Sequence, residues 1–391
     1  MKAIFWVLFF AFFYTYLGYA LLLAFLTLFQ QKRKQREAAP VIGEQELPEI
    51  CLFITAYNEK PILNEKIDNC RRLDYPHEKL KITFITDGSD DGSPEYLRTI
   101  EGVTVHHVPE RSGKIHAMNR GMQFVQAPIV VFTDANTSLN TESIRLMTAA
   151  FSDPLTGCVA GRKRVLSTGA DTAAETGEGL YWRFESWLKK KDAEFYSAVG
   201  AVGELFAIRT ELFEPVGNDV ILDDLIISFR IVEKGYRLSY TPGAIASEKA
   251  SFDVREELKR KKRIAAGGIQ TLVRMPGFLN PFRYGKLAFQ YFSHKVSRWT
   301  FAPWCFFLML PVNITLAAME PGFGFYHLTL VLQGLFYLMA VLGWLAERRN
   351  IRSKIFFLPY YFTVINWATI SGQFRYLKGK QPAAWDKVKR S

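Results

Sequence analysis

Three short runs rich in β-branched and aromatic residues each stop abruptly at acidic and small polar residues. Cys51–Tyr57 (CLFITAY) stops at Asn58-Glu59, and Lys81–Thr86 (KITFIT) stops at DGSDDGS (87–93). Pro128–Thr133 (PIVVFT) stops at Asp134-Ala135-Asn136. Runs that are apolar throughout suit strands covered on both faces, as in a parallel sheet. Ligands of such sheets bind beyond the carboxyl ends of the strands. Three acid-bearing ends would therefore face one crevice, a place for a metal and a nucleotide.

From 49 to about 275, strand-like runs alternate with helical spacing, which argues an α/β domain. Ile62–Arg72 and Gly113–Val125 have that spacing, and so does Glu178–Phe195 with Trp182, Phe184, Trp187 and Leu188. The aromatic residues of the last read as packing or membrane-facing groups rather than a ligand platform.

Ala3–Phe29 holds no charged residue and is long enough to cross a bilayer with some tilt. It runs into QQKRKQR (30–36) and not into a small-residue cleavage site, so it reads as an anchor and not a signal peptide. The expected order is an anchor at 1–31, a basic linker at 32–48 and the α/β domain at 49–275. An aromatic and basic stretch at 276–298 suits a helix lying in the membrane surface. A hairpin of two spans follows at 299–346, Trp299–Met319 and Phe325–Ala346, with Glu320–Gly324 as the outer turn. Residues 347–391 hold a basic loop, the apolar run Ile355–Gly372 and a basic tail. Pro359 and Asn366 interrupt that run and both flanks are basic, so a re-entrant or in-plane helix is expected, with a third C-terminal crossing as the alternative.

The net charge of +11 raises nucleic acid as a partner. Its basic residues cluster beside apolar spans, at Lys32–Arg36, Lys259–Arg263, Arg348–Lys354 and Lys378–Arg390, which points to lipid headgroups instead. No nucleic-acid partner is expected. The positive-inside pattern puts residues 30–298 in the cytoplasm and Met1 outside, in a multi-pass protein of the inner (plasma) membrane. Cys51, Cys70, Cys158 and Cys305 lack disulfide or zinc spacing and read as buried thiols.

Six stretches in order resemble the membrane-bound branch of the family 2 glycosyltransferases, which includes cellulose, hyaluronan and poly-N-acetylglucosamine synthases. They are TAYNE (55–59), DGSDDGS (87–93), RSGKIHAMNRG (111–121), TDAN (133–136), GAVGELFAIR (200–209) and LDDLIISFRIVEKGYRLSYTPGA (222–244). The resemblance implies a GT-A fold, a Rossmann-like nucleotide-diphospho-sugar transferase domain, with flanking transmembrane helices. It also implies an inverting, metal-dependent transfer from a nucleotide-sugar donor, UDP being the expected nucleotide. The acceptor would be lipid-linked or a glycan, and other polysaccharide-assembly proteins would be partners.

By the same resemblance, Thr55, Tyr57, Glu59 and Asp87 contact the nucleotide, with Lys114 and Asn119 beside it. An Asx-type turn would also use Asp87 and Gly88, and Asp91 fits such a structural role better. Asp134 and Asn136 take the metal position for Mg²⁺ or Mn²⁺. Oxygen donors two residues apart at a strand end suit a hard cation, and Asn in place of a second acid removes one negative charge. Asp224 takes the position of the base, supported by Asp223, although two acids at a helix start also suit capping. Gly203 would form part of the wall facing the sugar. Arg263 would stabilise the leaving diphosphate, while Arg260 and Ile264 replace the Gln and Trp of the related Q-x-x-R-W pattern. That Trp is a stacking platform in the processive enzymes, so its absence favours transfer of one or few sugars over long polymers.

Overall fold

The computed structural model describes residues 1–34, 46–166, 173–249, 254–349, 351 and 354–379. Most of the expected basic linker and nearly all of the basic tail lie outside the described residues. The three apolar runs form β1 (Ile50–Ala56), β2 (Leu80–Asp87) and β4 (Ile129–Asp134), with β3 (Val103–Val108) between the last two in sequence. The remaining strands are β5 (Ser138–Leu139), β6 (Thr156–Leu166), β7 (Leu205–Arg209) and β8 (Arg237–Lys249). All eight share one sheet in the order β3-β2-β1-β4-β7-β6-β8-β5.

The β3-β2-β1-β4 half is parallel, and β7 joins β4 antiparallel. Ala56 pairs with Thr86, and Thr55 pairs with Asp134, so three strands end at nearly one level. Both faces of β1 and β4 are buried. Phe53, Phe132 and Phe206 pack on one side, while Leu52, Ile54 and Val131 pack on the other. That two-sided burial is why the runs lack polar alternation.

Among the described residues, three stretches are long and apolar enough to cross a membrane: Lys2–Leu28, Ala302–Met319 and Phe325–Arg348. The first helix buries Phe5 against Met309, Leu316 and Tyr326 of the other two. The four cysteines are buried and unpaired.

Two sequence expectations change. Residues 276–298 do not form one helix, because Pro276, Pro281 and Gly285 divide them into short turns before the Lys286–Tyr291 helix. Tyr291 packs edge-on to Phe229 at 4.9 Å, so this stretch leans on the α/β domain. Pro359 and Asn366 interrupt nothing, since both lie inside one helix, Lys354–Leu377. Pro359 falls near its start, and the Asn366 amide donates back to the Phe362 carbonyl at 2.9 Å. This helix runs beside the Val254–Arg274 and Phe325–Arg348 helices. A β-carbon added to Gly372 would come within 2.5 Å of the Lys262 carbonyl oxygen, which shows how closely it approaches.

Phe132 lies 5.1 Å from Phe53 and 4.7 Å from Phe206, ring centre to ring centre. Phe132→Ala is expected to destabilise the domain by about 3–5 kcal/mol, the range for truncating a buried aromatic. Unfolding in detergent monitored by tryptophan fluorescence measures it, and a change well below that range would contradict this packing.

Candidate active site

The β2 strand delivers Asp87 to the sheet rim, and the following turn fixes it. Gly88 has φ +68°, and a β-carbon there would lie 2.5 Å from that of Arg111, so only glycine permits the approach. That approach brings the Ser112 and Gly113 amides to one Asp87 oxygen, at 2.9 and 2.6 Å. The other oxygen, Oδ1, is buried without a hydrogen-bond partner. An orphaned acceptor of this kind is costly unless a ligand satisfies it. Asp91 instead accepts from the Ser93 and Lys60 amides, which makes it a turn residue. Beside Asp87, the Arg111 guanidinium lies 3.9 Å from the Tyr57 ring centre, a cation–π contact.

The end of β4 carries Asp134. Buried Lys66 reaches this turn from the Leu63–Arg71 helix, donating to the Thr137 carbonyl at 2.8 Å and the Thr133 hydroxyl at 3.3 Å. Lys114 opens the Lys114–Gly121 helix and bonds Asp134 Oδ1 at 2.7 Å. Its ammonium also lies 3.9 Å from Asp223 Oδ2. Burial alone would depress the Lys114 pKa, but Asp134, Asp223 and Asp224 outweigh it and hold it above the usual lysine range.

Asp223 and Asp224 begin the Asp223–Glu233 helix. Burial, then repulsion from Asp223, push the Asp224 carboxyl up to about 6, against the pull of Lys189 and Lys114. A β-carbon at Gly203 would lie 3.5 Å from Asp224 Oδ2, so bare backbone lines this side. Arg263 donates to the Ile221 carbonyl at 2.8 Å, and its guanidinium interacts with Asp223, Asp224 and Asp134.

These groups line one cavity of about 960 Å³. Thr55, Tyr57, Glu59, Asp87, Lys114, Asp134, Asn136, Gly203, Asp223, Asp224 and Arg263 all border it. Asn119 does not. Its amide nitrogen donates to the Val216 carbonyl at 2.7 Å and its oxygen accepts from the Val216 amide at 2.9 Å, so it ties its helix to the loop that holds Val216.

Sequence reasoning passed over several cavity residues. Lys189 is buried and donates to the Gly200 and Ala201 carbonyls at 2.6 and 3.0 Å, clamping the loop that carries Gly203. Burial, then Lys295, push its pKa down to about 8. Glu204 bonds Lys163 at 2.5 Å, and the attraction of Lys163 and Arg260 overcomes burial to hold its carboxyl at about 2. Trp182 also borders the cavity, against the expectation that its helix carries only packing aromatics. Trp299 does too, packed on Gly268 so closely that a β-carbon there would lie 2.4 Å from the indole. A usable signal existed: Glu185, Lys189 and Asp192 recur at helical spacing beside the aromatic residues of that helix.

Residues 51–217 match the family model described as glycosyl transferase family 2. The chain carries a family 2 glycosyltransferase domain. It is 26% identical over 245 residues to a poly-β-1,6-N-acetyl-D-glucosamine synthase of Staphylococcus aureus, covering 60% of this chain and 58% of that protein. A probable glycosyltransferase YdaM of Bacillus subtilis is 23% identical over 239 residues, covering 57% of this chain and 56% of its own. The matched region thus spans a little over half of these relatives' length. In three dimensions the chain resembles the mannosyltransferase PcManGT from Pyrobaculum calidifontis, solved with GDP-mannose and Mn²⁺. That likeness has TM-score 0.69 at 23% identity and covers 97% of this chain and 99% of that one. The fold is that of a GT-A glycosyltransferase with membrane-length apolar helices at both ends.

The Lys189 clamp is testable without a substrate. Lys189→Met removes two bonds from a charged donor, each worth about 1.5–3 kcal/mol. Amide hydrogen exchange across residues 199–204 should accelerate by about tenfold or more on that scale. Unchanged exchange would show that the loop is held by other contacts.

Proposed function

We propose that this glycosyltransferase moves a sugar from a nucleotide-diphosphate donor, UDP-linked by preference, to an acceptor hydroxyl deprotonated by Asp224, in a single inverting displacement. The observation carrying this reading is the raised Asp224 carboxyl, bordering the same cavity as the strand-end acids. A carboxyl near 6 retains enough basicity to take a proton and is largely ionised at neutral pH. Asp223 keeps Asp224 basic by repulsion, and Arg263 with Lys114 faces the place where diphosphate charge develops. The orphaned Asp87 oxygen offers an acceptor to the base or ribose, beside the Tyr57 ring.

A divalent cation fits the donor set at Asp134 and Asn136, since both offer hard oxygen atoms, as Mg²⁺ and Mn²⁺ prefer. Among the described residues no three His, Cys, Asp or Glu side chains form a metal-binding group. The remaining ligands would therefore come from donor phosphates and water. When bound, the cation would supply charge neutralisation to the leaving diphosphate.

The acceptor reading is transfer of one or few sugars to a lipid-linked or glycan acceptor at the inner face of a membrane, in cell-surface polysaccharide or glycolipid assembly. A processive synthase is the second reading, favoured by the likeness to the Staphylococcus aureus protein. Trp299 brings an indole to the cavity that Ile264 also lines, so the missing Trp at 264 no longer argues against polymer. The three candidate spans among the described residues still make a narrow base for an export channel. Product length in membranes given UDP-N-acetylglucosamine separates the two readings.

Asp224→Asn should abolish UDP release while leaving Mn²⁺-dependent UDP binding within about twofold, as expected for a group acting mainly in the transition state. Retained turnover would remove Asp224 from the role of base. In the wild type, the rate should rise with pH through about 6 as Asp224 ionises, then level. Asp223→Asn removes the repulsion that raises Asp224, so that limb should move to lower pH. A limb that stays in place or moves upward would contradict the coupling.

A further inference from the structure

Behind the cavity wall runs a buried chain of polar groups that the proposed reaction does not use. It begins in the first membrane helix at Tyr19, which is fully buried and donates its hydroxyl hydrogen to Asp192 Oδ1. Asp192 lies on the Ala173–Phe195 helix and is itself inaccessible to solvent. The same oxygen accepts from the Gln290 amide at 3.1 Å, and Oδ2 meets His294 Nδ1 at 2.5 Å. His294 Nε2 then meets Glu185 Oε1 at 3.1 Å. Glu185 also takes Lys295 on Oε1 and Arg298 on Oε2, the latter at 3.2 Å. Glu185 and Lys295 both border the cavity.

The chemistry of this chain is constrained. Carboxylate oxygens accept, and His294 turns both of its ring nitrogens to them, so the imidazole links the two acids. Two buried acids, an imidazole and a lysine are costly to desolvate unless each is paired with good geometry. Attaching a membrane helix to a soluble domain requires none of them. Ala20, Leu23 and Leu188 already supply an apolar contact at the same junction. The charged chain therefore specifies position rather than adhesion. Its other neighbours fit that role. Lys189, one turn beyond Glu185, interacts with Glu185, Asp192 and Lys295 as well as with Asp224. Tyr181 and Tyr240 face Glu185, and the Tyr14 hydroxyl bonds Ser293 at 2.6 Å.

We propose that Tyr19 is a positioning residue for transfer: through Asp192, His294 and Glu185 it fixes Lys295 in the cavity wall, making the first membrane helix a working part of the site. The functional half of this inference rests on reading the cavity as the transferase site. The geometric half, that Tyr19 immobilises Lys295, stands without it.

The test uses the full chain in lipid nanodiscs. Tyr19→Phe should leave binding of UDP with Mn²⁺ within about twofold, yet lower UDP release from a mixture of UDP-N-acetylglucosamine, UDP-glucose and UDP-galactose by about tenfold, the scale of one lost hydrogen bond to a charged group. In a Lys295→Met background, Tyr19→Phe should have no further effect on turnover, because the residue through which it acts is gone. Acetylation of Lys295 by N-hydroxysuccinimidyl acetate, read by mass spectrometry, should be about tenfold faster in Tyr19→Phe on the same scale. Wild-type labelling in Tyr19→Phe, or an equal loss of turnover with and without Lys295, would overturn the proposal and leave Tyr19 as packing. If the wild type releases no UDP from any of these donors, the UDP-donor reading fails, while the labelling result still decides whether Tyr19 holds Lys295.

Discussion

Asp134, Asp223 and Asp224 crowd one sheet rim, and like charges so placed repel. The rim is stable in this form because Lys114, Lys189 and Arg263 stand among the acids. Lys114 matters most, since it bonds Asp134 directly and lies within 4 Å of Asp223, linking strand end to helix start. The arrangement is also unequal. Asp224 is left buried beside Asp223 and retains a raised pKa, while Asp134 takes the direct hydrogen bond from Lys114. Environment alone thus gives neighbouring carboxylates different chemical capacities.

The rim was legible because strand ends announce themselves. An apolar run buried on both faces must stop where the backbone meets solvent, and the residue at that stop faces the crevice. Asp87 and Asp134 follow from that rule, and the level ends of β1, β2 and β4 bring them together. Asp224 was legible by resemblance and helix position. Asn119 misled because a side chain one turn into a helix can turn toward a loop as readily as toward a ligand, and Val216 was the better partner. Lys189 and Trp182 went unread because their helix follows none of the three acid-bearing strand ends, and only folding places it against the cavity. The 276–298 stretch misled because its composition suits a membrane surface, while its prolines and glycine divide it and Tyr291 finds a partner in the α/β domain.

The membrane segments and the α/β domain are joined by more than chain connectivity. The first helix meets the Ala173–Phe195 helix through both apolar and charged groups, and the Lys354–Leu377 helix lies along the basic Val254–Arg274 helix that carries Arg263. A cavity whose walls include Lys295, Trp299 and Arg263 is therefore built partly from elements that the membrane helices hold in place.

The central claim is that the acids at one rim hold a cation-bridged nucleotide sugar within reach of Asp224. Cryo-electron microscopy of the full chain with UDP and Mn²⁺ tests it directly. The account predicts the uracil or ribose against Asp87 and Tyr57, the cation and diphosphate against Asp134 and Asn136, and open space for an acceptor beside Asp224. A nucleotide seated elsewhere, or a diphosphate walled off from Asp224, would contradict it.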